Sequence, residues 1–310
     1  MTNTIKNLNR IKPDRNILSR RDFLNRTMII TGAGLVMIPS CNGEKMAEPP
    51  ENYNFAFGVI TDLHYADKET VGNRYYRESE QKLKEAIATY NSLKPAFLVE
   101  LGDFIDKAEK ITELEYLKTI NGIYKSFDSE EHYVLGNHDV ATFSKEEFIA
   151  NSGARKNYYS FDHGDSYHFV ILDGNYNKDG SDYNAGNFDW TETYIHKPQQ
   201  EWLARDLKQA QGKFTIVFVH QNLHDEDNPH GVKNAPEVRQ ILEAYGNVQL
   251  VLQGHDHSGA FARINGIPYV TLKAAVEGST LANNAFAMVY IGKNGDIFIR
   301  GFGKQDNVDV

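Results

Sequence analysis

The amino-acid sequence predicts an α/β fold in which helices flank central β-sheets of mixed strand direction. Short apolar runs alternate with longer amphipathic stretches over most of the chain, which is the pattern of strands alternating with helices. The C-terminal part instead contains two Asn-Gly turns between alternating runs, which are typical of β-hairpins. Hydrophobic residues make up 41% and charged residues 24%, as in ordinary globular proteins, so a disordered or fibrous chain is excluded.

The first half of the predicted domain alternates three strands with two helices. Residues 54–60 form a continuous apolar run, which is typical of a buried strand. Residues 75–92 show the apolar period of a helix that packs by one face, and a proline separates them from a second strand at 96–101. A second amphipathic helix at 111–127 leads to a third strand at 132–135. This order is that of a sheet with helices between its strands.

The second half of the domain is predicted mainly from turn and cap signals. The capping box at Ser144 and Glu147 marks the start of a short helix, and Pro198 suits the first turn of another. Asn265-Gly266 and Asn294-Gly295 suit the two-residue turns of hairpins. The remaining predicted elements are strands at 158–161, 167–172, 214–219 and 248–252 and helices at 198–212 and 235–245.

Charge is distributed unevenly along the chain. Residues 1–40 carry a net charge of +5 and the rest carries −14, which gives −9 overall. A surface that is acidic over most of its area repels nucleic acid, so no nucleic-acid partner is predicted. No apolar run reaches the roughly 18 residues of a membrane-spanning helix.

The first forty residues have the order of an export signal. A basic segment precedes the short apolar run 28–39, as the n-region precedes the h-region, and residues 19–24 (Ser-Arg-Arg-Asp-Phe-Leu) resemble a twin-arginine signal. The run ends just before Cys41, the only cysteine, in a setting that resembles a bacterial lipoprotein cleavage box. The alternatives are a basic N-terminal arm and a cysteine without a role.

We therefore expect residues 1–40 to be a signal peptide, residues 41–53 to be a tether and residues 54–310 to be the functional domain. Cys41 is then the lipidation site, and this lipid is the only expected contact with a membrane. The expected location is outside the cytoplasm, in the periplasm or at the cell surface of a bacterium. Because a single cysteine cannot form an internal disulfide, the domain has to be stabilised by its core.

Polar side chains directly follow five of the predicted strands. In chain order they are Asp62 and His64, Asp103 and Asp106, Asn137, His138 and Asp139, His220, and His255 and His257. Each residue alone would read as a turn or cap residue, but five such sites in succession favour a ligand-binding edge of the sheet. Carboxylate, imidazole and amide ligands suit Mn²⁺, Fe or Zn²⁺. Because one ion cannot use so many ligands, we expect two ions that share a carboxylate.

The same motifs resemble the signature of the calcineurin-like metallophosphoesterases. They are Asp62-x-His64, Gly102-Asp103-x-x-Asp106, Gly136-Asn137-His138-Asp139, His220 and Gly254-His255-x-His257, and the resemblance extends from about residue 54 to the C-terminus. It implies the four-layer αββα sandwich of that family, with a mixed central β-sandwich and a binuclear metal centre. One ion would be held by Asp62, His64, Asp103 and His257. The other would be held by Asp103, Asn137, His220 and His255, with Asp103 as the bridge.

The resemblance also implies a chemistry. A hydroxide shared by the two ions would attack phosphorus, and His138 would stabilise and protonate the departing oxygen. Asp139 would orient His138, and the alternative for His138 is a turn residue behind the ligands. The other histidines are expected to be surface or packing residues. They are His163, His168, His196 and His230.

Further segments resemble one branch of that family, the manganese-dependent ADP-ribose/CDP-alcohol diphosphatases. They include residues 73–79, 158–161, 170–173, 200–203, 276–277 and 284–290. The resemblance implies manganese as the metal and a small nucleoside diphosphate derivative as the substrate. Two departures are His64, where that branch tends to carry Gln, and the sequence after His220, which lacks the branch's proline and keeps a histidine at His224.

Four residues of segment 73–79 are candidate substrate contacts. Arg74 and Arg77 are expected to reach a second phosphate, whereas Tyr75 and Tyr76 could stack on a base. The alternative is an exposed helix start whose rings cover the sheet. Two rival functions also remain at this point: an exported phosphomonoesterase or phosphodiesterase that scavenges phosphate, and a non-catalytic metal-binding lipoprotein. The complete ligand set together with His138 favours an enzyme.

Overall fold

The computed structural model describes residues 50–310 and, before them, only a strand pair, β1 (Ile30–Thr31) and β2 (Gly34–Leu35). Contacts divide the chain into two units, Met1–Lys45 and Met46–Val310. Apart from the strand pair, the predicted signal peptide lies outside the described residues, and so do Cys41 and most of the predicted tether. Within the described part, no helix has the length and apolar character needed to cross a membrane.

Two six-stranded mixed sheets form the centre of the second unit. Their strands are β3 (Tyr53–Ile60), β4 (Phe97–Glu100), β5 (Glu130–Tyr133), β6 (Tyr159–His163), β7 (Tyr167–Ile171), β8 (Phe214–Phe218), β9 (Val248–Gln253), β10 (Ala260–Ile264), β11 (Ile267–Thr271), β12 (Ala285–Gly292), β13 (Ile297–Gly303) and β14 (Val308–Asp309). One sheet has the order β14-β13-β12-β3-β4-β5, and the other has the order β10-β11-β9-β8-β7-β6. Both predicted Asn-Gly turns join neighbouring antiparallel strands, β10 to β11 and β12 to β13.

Helices cover the outer face of each sheet. They are α1 (Ser79–Leu93), α2 (Lys110–Tyr124), α3 (Lys145–Ser152), α4 (Lys197–Gln209) and α5 (Ala235–Glu243). Leu83 of α1 and Leu117 of α2 are buried in one apolar cluster with residues of β3 and β4. Leu203 of α4 and Val238 of α5 are buried in another with residues of β7, β8 and β9. The predicted four-layer αββα sandwich is therefore confirmed.

The core between the two sheets is rich in phenylalanine. Phe57 and Phe97 stack with ring centroids 5.0 Å apart, and Phe97 meets Phe169 of the other sheet edge-on at 4.8 Å. Phe218 packs edge-on against Phe57 at 5.7 Å. All four rings are buried, and burial of each stabilises the fold by about 1.5–3 kcal/mol. This rigid layer fixes the strands whose ends carry the polar motifs.

Helix α1 begins later than the sequence predicts. Residues Tyr76–Glu78 form a 3-10 turn, and the α-helix starts at Ser79. The helix ends at Lys94, which adopts a left-handed backbone directly before Pro95 and so closes the last turn. The predicted capping box is present, since the Ser144 hydroxyl accepts from the Glu147 N–H while the Glu147 carboxylate accepts from the Ser144 N–H.

Parallel strands bring the polar motifs to one edge of the sandwich. Strands β3, β4 and β5 pair in parallel in one sheet, and β8 and β9 pair in parallel in the other. Parallel strands end at the same sheet edge, so the residues that follow them become neighbours. The backbone confirms this, because the Asp62 N–H donates to the carbonyl of Gly102 at 3.0 Å and the Gly254 N–H donates to that of His220 at 3.0 Å.

Away from this edge, His168 forms ion pairs with Asp162 and Asp206. We expect these ion pairs to make the stability of the fold depend on pH. The ring nitrogens of His168 lie 2.7 Å from Asp162 Oδ1 and 2.8 Å from Asp206 Oδ2. Burial lowers the pKa of His168, but the two carboxylates outweigh burial and raise it above its usual value. The stabilisation is therefore complete below the unfolded-state pKa of about 6.5 and is lost as pH rises through the folded-state pKa.

We expect His168→Gln to lower the free energy of unfolding more at pH 6 than at pH 9. Urea unfolding of wild type and variant at the two pH values measures this difference. His163→Gln is the control, because His163 lies in the same hairpin and has no carboxylate partner among the described residues. Equal destabilisation by His168→Gln at both pH values would show that the ion pairs contribute nothing.

Candidate metal centre

Among the described residues, three groups of potential metal-binding side chains lie at this edge, and two of them contain the predicted ligands. The third group is His64, Asp106 and His138, and it shares His64 with the first cluster defined below. The first cluster is Asp62, His64 and His257, and the second is Asp103, His220 and His255. Within each cluster, one candidate ligand atom per residue lies within 4.8 Å of the others. The side chains are buried except for that of His257, which is 15% exposed.

Asp103 belongs to the second cluster and also contacts the first. Its Oδ2 atom is 3.4 Å from His64 Nε2 in the first cluster and 3.2 Å from His220 Nε2 in the second. Its other oxygen, Oδ1, accepts a hydrogen bond of 2.8 Å from the His138 N–H. One carboxylate oxygen therefore faces both clusters at once, which is the position that the sequence predicted for a bridging ligand.

Several candidate ligands have a strained backbone. Asp62, His64, Asp103 and His255 all have positive φ angles, of 52°, 43°, 58° and 69°. Only a few per cent of residues other than glycine adopt this left-handed conformation, with Asn, Asp and His the most frequent among them, and it persists where the surrounding structure imposes it. These backbone conformations occur in three different loops, those after β3, β4 and β9, and such clustering is a common property of functional sites.

Gly136 allows the loop after β5 to approach this volume. A Cβ atom at Gly136 would lie 2.1 Å from the backbone nitrogen of Asp103 and 2.2 Å from its Oδ1 atom. Because the first of these neighbours is backbone, a side chain at this position would displace the Asp103 loop. The glycine of the Gly-Asn-His-Asp motif is therefore required by close approach rather than only by a turn.

The donor set fits divalent ions. Asp62 Oδ1, Asn137 Oδ1, His220 Nε2 and His255 Nε2 are buried and have no hydrogen-bond partner among the described residues, and such orphaned atoms are costly unless a ligand satisfies them. His64 Nε2 and His257 Nε2 face each other at 3.2 Å. That spacing matches two ligands of one ion, since metal–nitrogen bonds of about 2.1 Å place neighbouring ligands roughly 3.0–3.4 Å apart.

Hydrogen bonds fix the orientation of two of the imidazoles. His220 Nδ1 lies 2.8 Å from the carbonyl of Leu101, to which only a protonated nitrogen can donate. His257 Nδ1 lies 2.7 Å from Glu277 Oε1. In both rings Nδ1 is engaged outside the cluster, so Nε2 is the nitrogen that would bind a metal, and such partners are typical of histidine ligands. Burial lowers the pKa of both rings, but Asp103 beside His220, and Asp62 and Glu277 beside His257, raise it to about 9, so a metal would displace a proton from each Nε2.

The charges of the cluster suit metal binding. Burial alone would raise the pKa of Asp103, but the histidines around it, His220 foremost, hold it well below its usual value. His257 and His64 have the same effect on the pKa of Asp62, which burial alone would also raise. Burial, followed by repulsion from His138, lowers the pKa of His64 to about 4. Ionised carboxylates and an unprotonated imidazole are the forms that coordinate metals.

His138 stands beside the first cluster and is oriented by Asp106. Its ring is 27% exposed and lies edge-on to His64 at 4.5 Å between centroids. Its Nδ1 atom is 2.7 Å from Asp106 Oδ1, and Lys68 Nζ is 2.8 Å from the other oxygen of Asp106. Burial lowers the pKa of His138, but Asp103 and Asp106 raise it above its usual value. A protonated, accessible imidazole is suited to donate a proton.

The expectation that Asp139 orients His138 is wrong. The Asp139 oxygens accept from the backbone N–H groups of Asp103, Phe104, Ile105 and Gly136 at 2.9–3.3 Å. A carboxylate that binds four main-chain donors positions the loop that carries Asp103. Asp106 takes the orienting role, and the sequence signal for it was the second Asp of the Gly-Asp-x-x-Asp motif.

The four candidate substrate contacts differ in their exposure and in their contacts. The expectation that Tyr76 stacks on a base is wrong, because the residue is only 4% exposed and packs against Ala66 and Val276. Tyr75 is half-buried, and Arg77 is bound by two exposed carboxylates, so its charge is already engaged. Arg74 lies close to the first cluster, since its Nε is 3.8 Å from the Glu277 oxygen that binds His257.

Sequence reasoning missed two residues next to the second cluster. His230 is half-buried and packs against the second cluster, since its ring centroid lies 5.1 Å from that of His255. Trp190 lies 5.6 Å from the same ring. Neither residue belongs to a local motif, and only the folded loops bring them to the site. The other three histidines lie elsewhere: His196 stacks on Tyr176, His163 packs on Phe55, and His168 forms the ion pairs described above.

Three comparisons with known proteins agree with this geometry. Residues 55–259 match the protein-family model described as Calcineurin-like phosphoesterase. The chain is 27% identical over 315 residues to the manganese-dependent ADP-ribose/CDP-alcohol diphosphatase of Xenopus laevis, covering 80% of this chain and 87% of the relative. It is 29% identical over 275 residues to the protein of the same name from Arabidopsis thaliana, covering 72% and 86%.

A solved structure shows the same fold. The dimetal phosphatase from Danio rerio superposes with a TM-score of 0.74 and 22% sequence identity. The match covers 84% of this chain and 99% of that chain.

Proposed function

Because this chain belongs to the calcineurin-like phosphoesterase family and is a metal-dependent phosphohydrolase, we propose that it cleaves the diphosphate bond of small nucleoside diphosphate derivatives. The family resemblance predicted from the motifs is thereby confirmed. The names of the relatives from Xenopus laevis and Arabidopsis thaliana, which specify ADP-ribose and CDP-alcohols as substrates, support the proposed substrate class. These names also support manganese as the metal.

The position of Asp103 is the observation that carries the proposal. One carboxylate oxygen that contacts a histidine of each of two neighbouring clusters is suited to two ions and not to one. We propose that the first ion is held by Asp62, His64, Asp103 and His257, and that the second is held by Asp103, Asn137, His220 and His255. The orphaned oxygen of Asn137 and the orphaned nitrogens of His220 and His255 support this assignment.

Two divalent ions at this site would activate water for attack on phosphorus and neutralise the phosphoryl oxygens. The protein's own contribution is to the leaving group. His138 donates its proton to the departing oxygen, and Asp106 holds the ring and keeps it protonated. This chemistry needs no covalent nucleophile from the chain.

Two cations indicate on which side the leaving phosphate lies. Lys68 contacts the carboxylate that holds His138, and Arg74 lies near the carboxylate that holds His257. Both therefore belong to the side of the first cluster, where His138 stands. The second phosphate of a diphosphate carries negative charge that such side chains can bind. The products are then a nucleoside monophosphate and a phosphorylated leaving group.

A panel of phosphate esters tests the proposal. The purified full-length chain is stripped of metal with a chelator and is then supplied with Mn²⁺ and with ADP-ribose, CDP-choline, cyclic AMP or p-nitrophenyl phosphate. We expect AMP from ADP-ribose and CMP from CDP-choline, with no turnover before Mn²⁺ is restored and with much slower reaction of the other two compounds.

The same panel distinguishes the rival functions. Release of nitrophenol alone would identify a phosphomonoesterase, and opening of cyclic AMP alone would identify a phosphodiesterase. If no substrate were turned over with Mn²⁺, Fe or Zn²⁺, the metal-binding lipoprotein would be the better interpretation. Each of these three results would contradict the proposed diphosphatase activity.

We further propose that the protein is exported and anchored through a lipid on Cys41. The support is the sequence order alone: a twin-arginine motif, an apolar run and the single cysteine. We expect wild type expressed in a bacterium to be found in the membrane fraction and Cys41→Ala to be found in the soluble fraction. Mass spectrometry of the mature N-terminus measures processing, and an unprocessed chain or a membrane-bound Cys41→Ala variant would contradict export as a lipoprotein.

A further inference from the structure

Trp190 is an exposed aromatic residue beside the second cluster. Its side chain is 42% exposed, although large apolar side chains usually bury more of their surface. Its ring centroid lies 5.6 Å from that of His255 and 5.4 Å from that of His230. The indole therefore borders the clusters on one side and is open to solvent on the other.

The loop around Trp190 is held in place on both sides. Before it, the Phe188 ring stacks on the buried Tyr183 at 4.0 Å, and the Tyr183 hydroxyl donates to the carbonyl of Asp189 at 3.0 Å. After it, the N–H and hydroxyl of Thr191 donate to Asp189 Oδ1 at 3.0 and 2.8 Å. An exposed indole on a fixed backbone loses little conformational freedom when it binds a ligand, which is the property of a binding residue.

Trp190 and the two cations border different clusters. It contacts His255 of the second cluster, whereas Lys68 and Arg74 lie on the side of His138 and His257. In a nucleotide the ribose joins the base to the phosphate, so a nucleotide whose phosphate is held at the clusters has its base one ribose away from them. With the leaving phosphate beside the first cluster, a base attached to the attacked phosphate would lie toward the second cluster, where Trp190 is exposed.

We propose that Trp190 is the platform on which the substrate's base stacks. The inference rests on the proposed function and specifies where that substrate's nucleoside lies. It also replaces the expectation that Tyr76 stacks on the base, since Tyr76 is buried and Trp190 is not. Stacking on an aromatic side chain discriminates little between bases, because every base has a π-face. The platform therefore accepts adenine and cytosine alike.

Substitution of Trp190 tests the platform through substrate affinity. We expect Trp190→Ala to raise KM for ADP-ribose and for CDP-choline by about 10-fold to 100-fold, with little change in kcat. Trp190→Phe keeps an aromatic face and is expected to remain close to wild type. Tyr53→Ala is the matched control, since Tyr53 is 41% exposed and lies at the amino end of β3, away from the site. An unchanged KM in Trp190→Ala would overturn the platform.

Fluorescence gives a readout that does not depend on turnover. The chain has two tryptophans, so in Trp202→Phe the emission reports on Trp190 alone. We expect AMP and CMP to quench this emission in the Mn²⁺-loaded protein and ribose 5-phosphate, which has no base, to leave it unchanged. Trp190→Phe, in which only Trp202 emits, is expected to show no quenching by AMP.

The outcomes separate the platform from the proposed function. Quenching by AMP without hydrolysis of any nucleoside diphosphate would support the platform and refute the diphosphatase. Hydrolysis of ADP-ribose with equal KM in wild type and Trp190→Ala would support the diphosphatase and refute the platform. Equal quenching by AMP and by ribose 5-phosphate would also refute the platform, because the base would then play no part.

Discussion

Asp103→Asn is expected to abolish hydrolysis, lowering kcat for ADP-ribose by about 10³-fold or more. The carboxylate oxygen that lies 3.4 Å from His64 Nε2 and 3.2 Å from His220 Nε2 contacts both clusters, so one change affects both sites. An asparagine amide supplies only one oxygen and no negative charge. Its NH₂ group replaces the other carboxylate oxygen and is a hydrogen-bond donor, which cannot bind a metal ion. The same variant is expected to bind one Mn²⁺ or none where wild type binds two, as measured by mass spectrometry of bound metal.

The matched control is Asp128→Asn. Asp128 is exposed and precedes β5, so it lies at the amino end of that strand, away from the clusters. We expect Asp128→Asn to keep both metal ions and full activity. Circular dichroism of Asp103→Asn is expected to match wild type because the apolar layers are unchanged. A folded Asp103→Asn variant that still binds two ions and turns over at the wild-type rate would show that Asp103 is not the bridge.

His138→Asn is expected to lower kcat for ADP-ribose by about 10²-fold to 10⁴-fold, the range for loss of a general acid. His138 is not in either cluster, so metal content is expected to stay at two ions. A nucleotide ester of p-nitrophenol provides the discriminating measurement. Nitrophenolate leaves without a proton, and we therefore expect the variant to lose far less activity on this ester than on ADP-ribose.

Asp106→Asn extends the same test. Its amide can still contact His138 but no longer supplies the negative charge that keeps the ring protonated. We expect an intermediate loss on ADP-ribose and again little loss on the nitrophenyl ester. Equal losses on both substrates in His138→Asn, or loss of one metal ion, would mean that His138 acts on the metal centre and not on the leaving group.

The sequence predicted the parts of this structure that depend on local spacing. The apolar runs give the strands, and the residues directly after β3, β4, β8 and β9 give both clusters, since the ends of parallel strands must converge. The Asn265-Gly266 turn was also predictable, because both of its residues need positive φ angles and have them, at 49° and 88°. These features depend only on the order of a few neighbouring residues in the sequence.

Contacts between distant residues could not be predicted in the same way. Asp106 and Asp139 were both possible partners of His138, and the folded main chain decides between them. Four backbone N–H groups donate to the Asp139 carboxylate, which leaves Asp106 as the partner of His138. Burial of Tyr76 depends on Val276, which lies 200 residues away in the chain. Trp190 and His230 approach His255 only because their loops fold over the same sheet edge.

Hydrolysis of ADP-ribose in ¹⁸O-enriched water tests most directly whether the clusters hold the nucleoside's phosphate while His138 faces the leaving group. With Mn²⁺ present, we predict that one ¹⁸O atom enters the phosphate of AMP and that ribose 5-phosphate contains none, as measured by mass spectrometry of the two products. Label in ribose 5-phosphate and not in AMP would contradict the proposed orientation. Release of ADP and ribose, with the diphosphate intact, would contradict the proposed reaction itself.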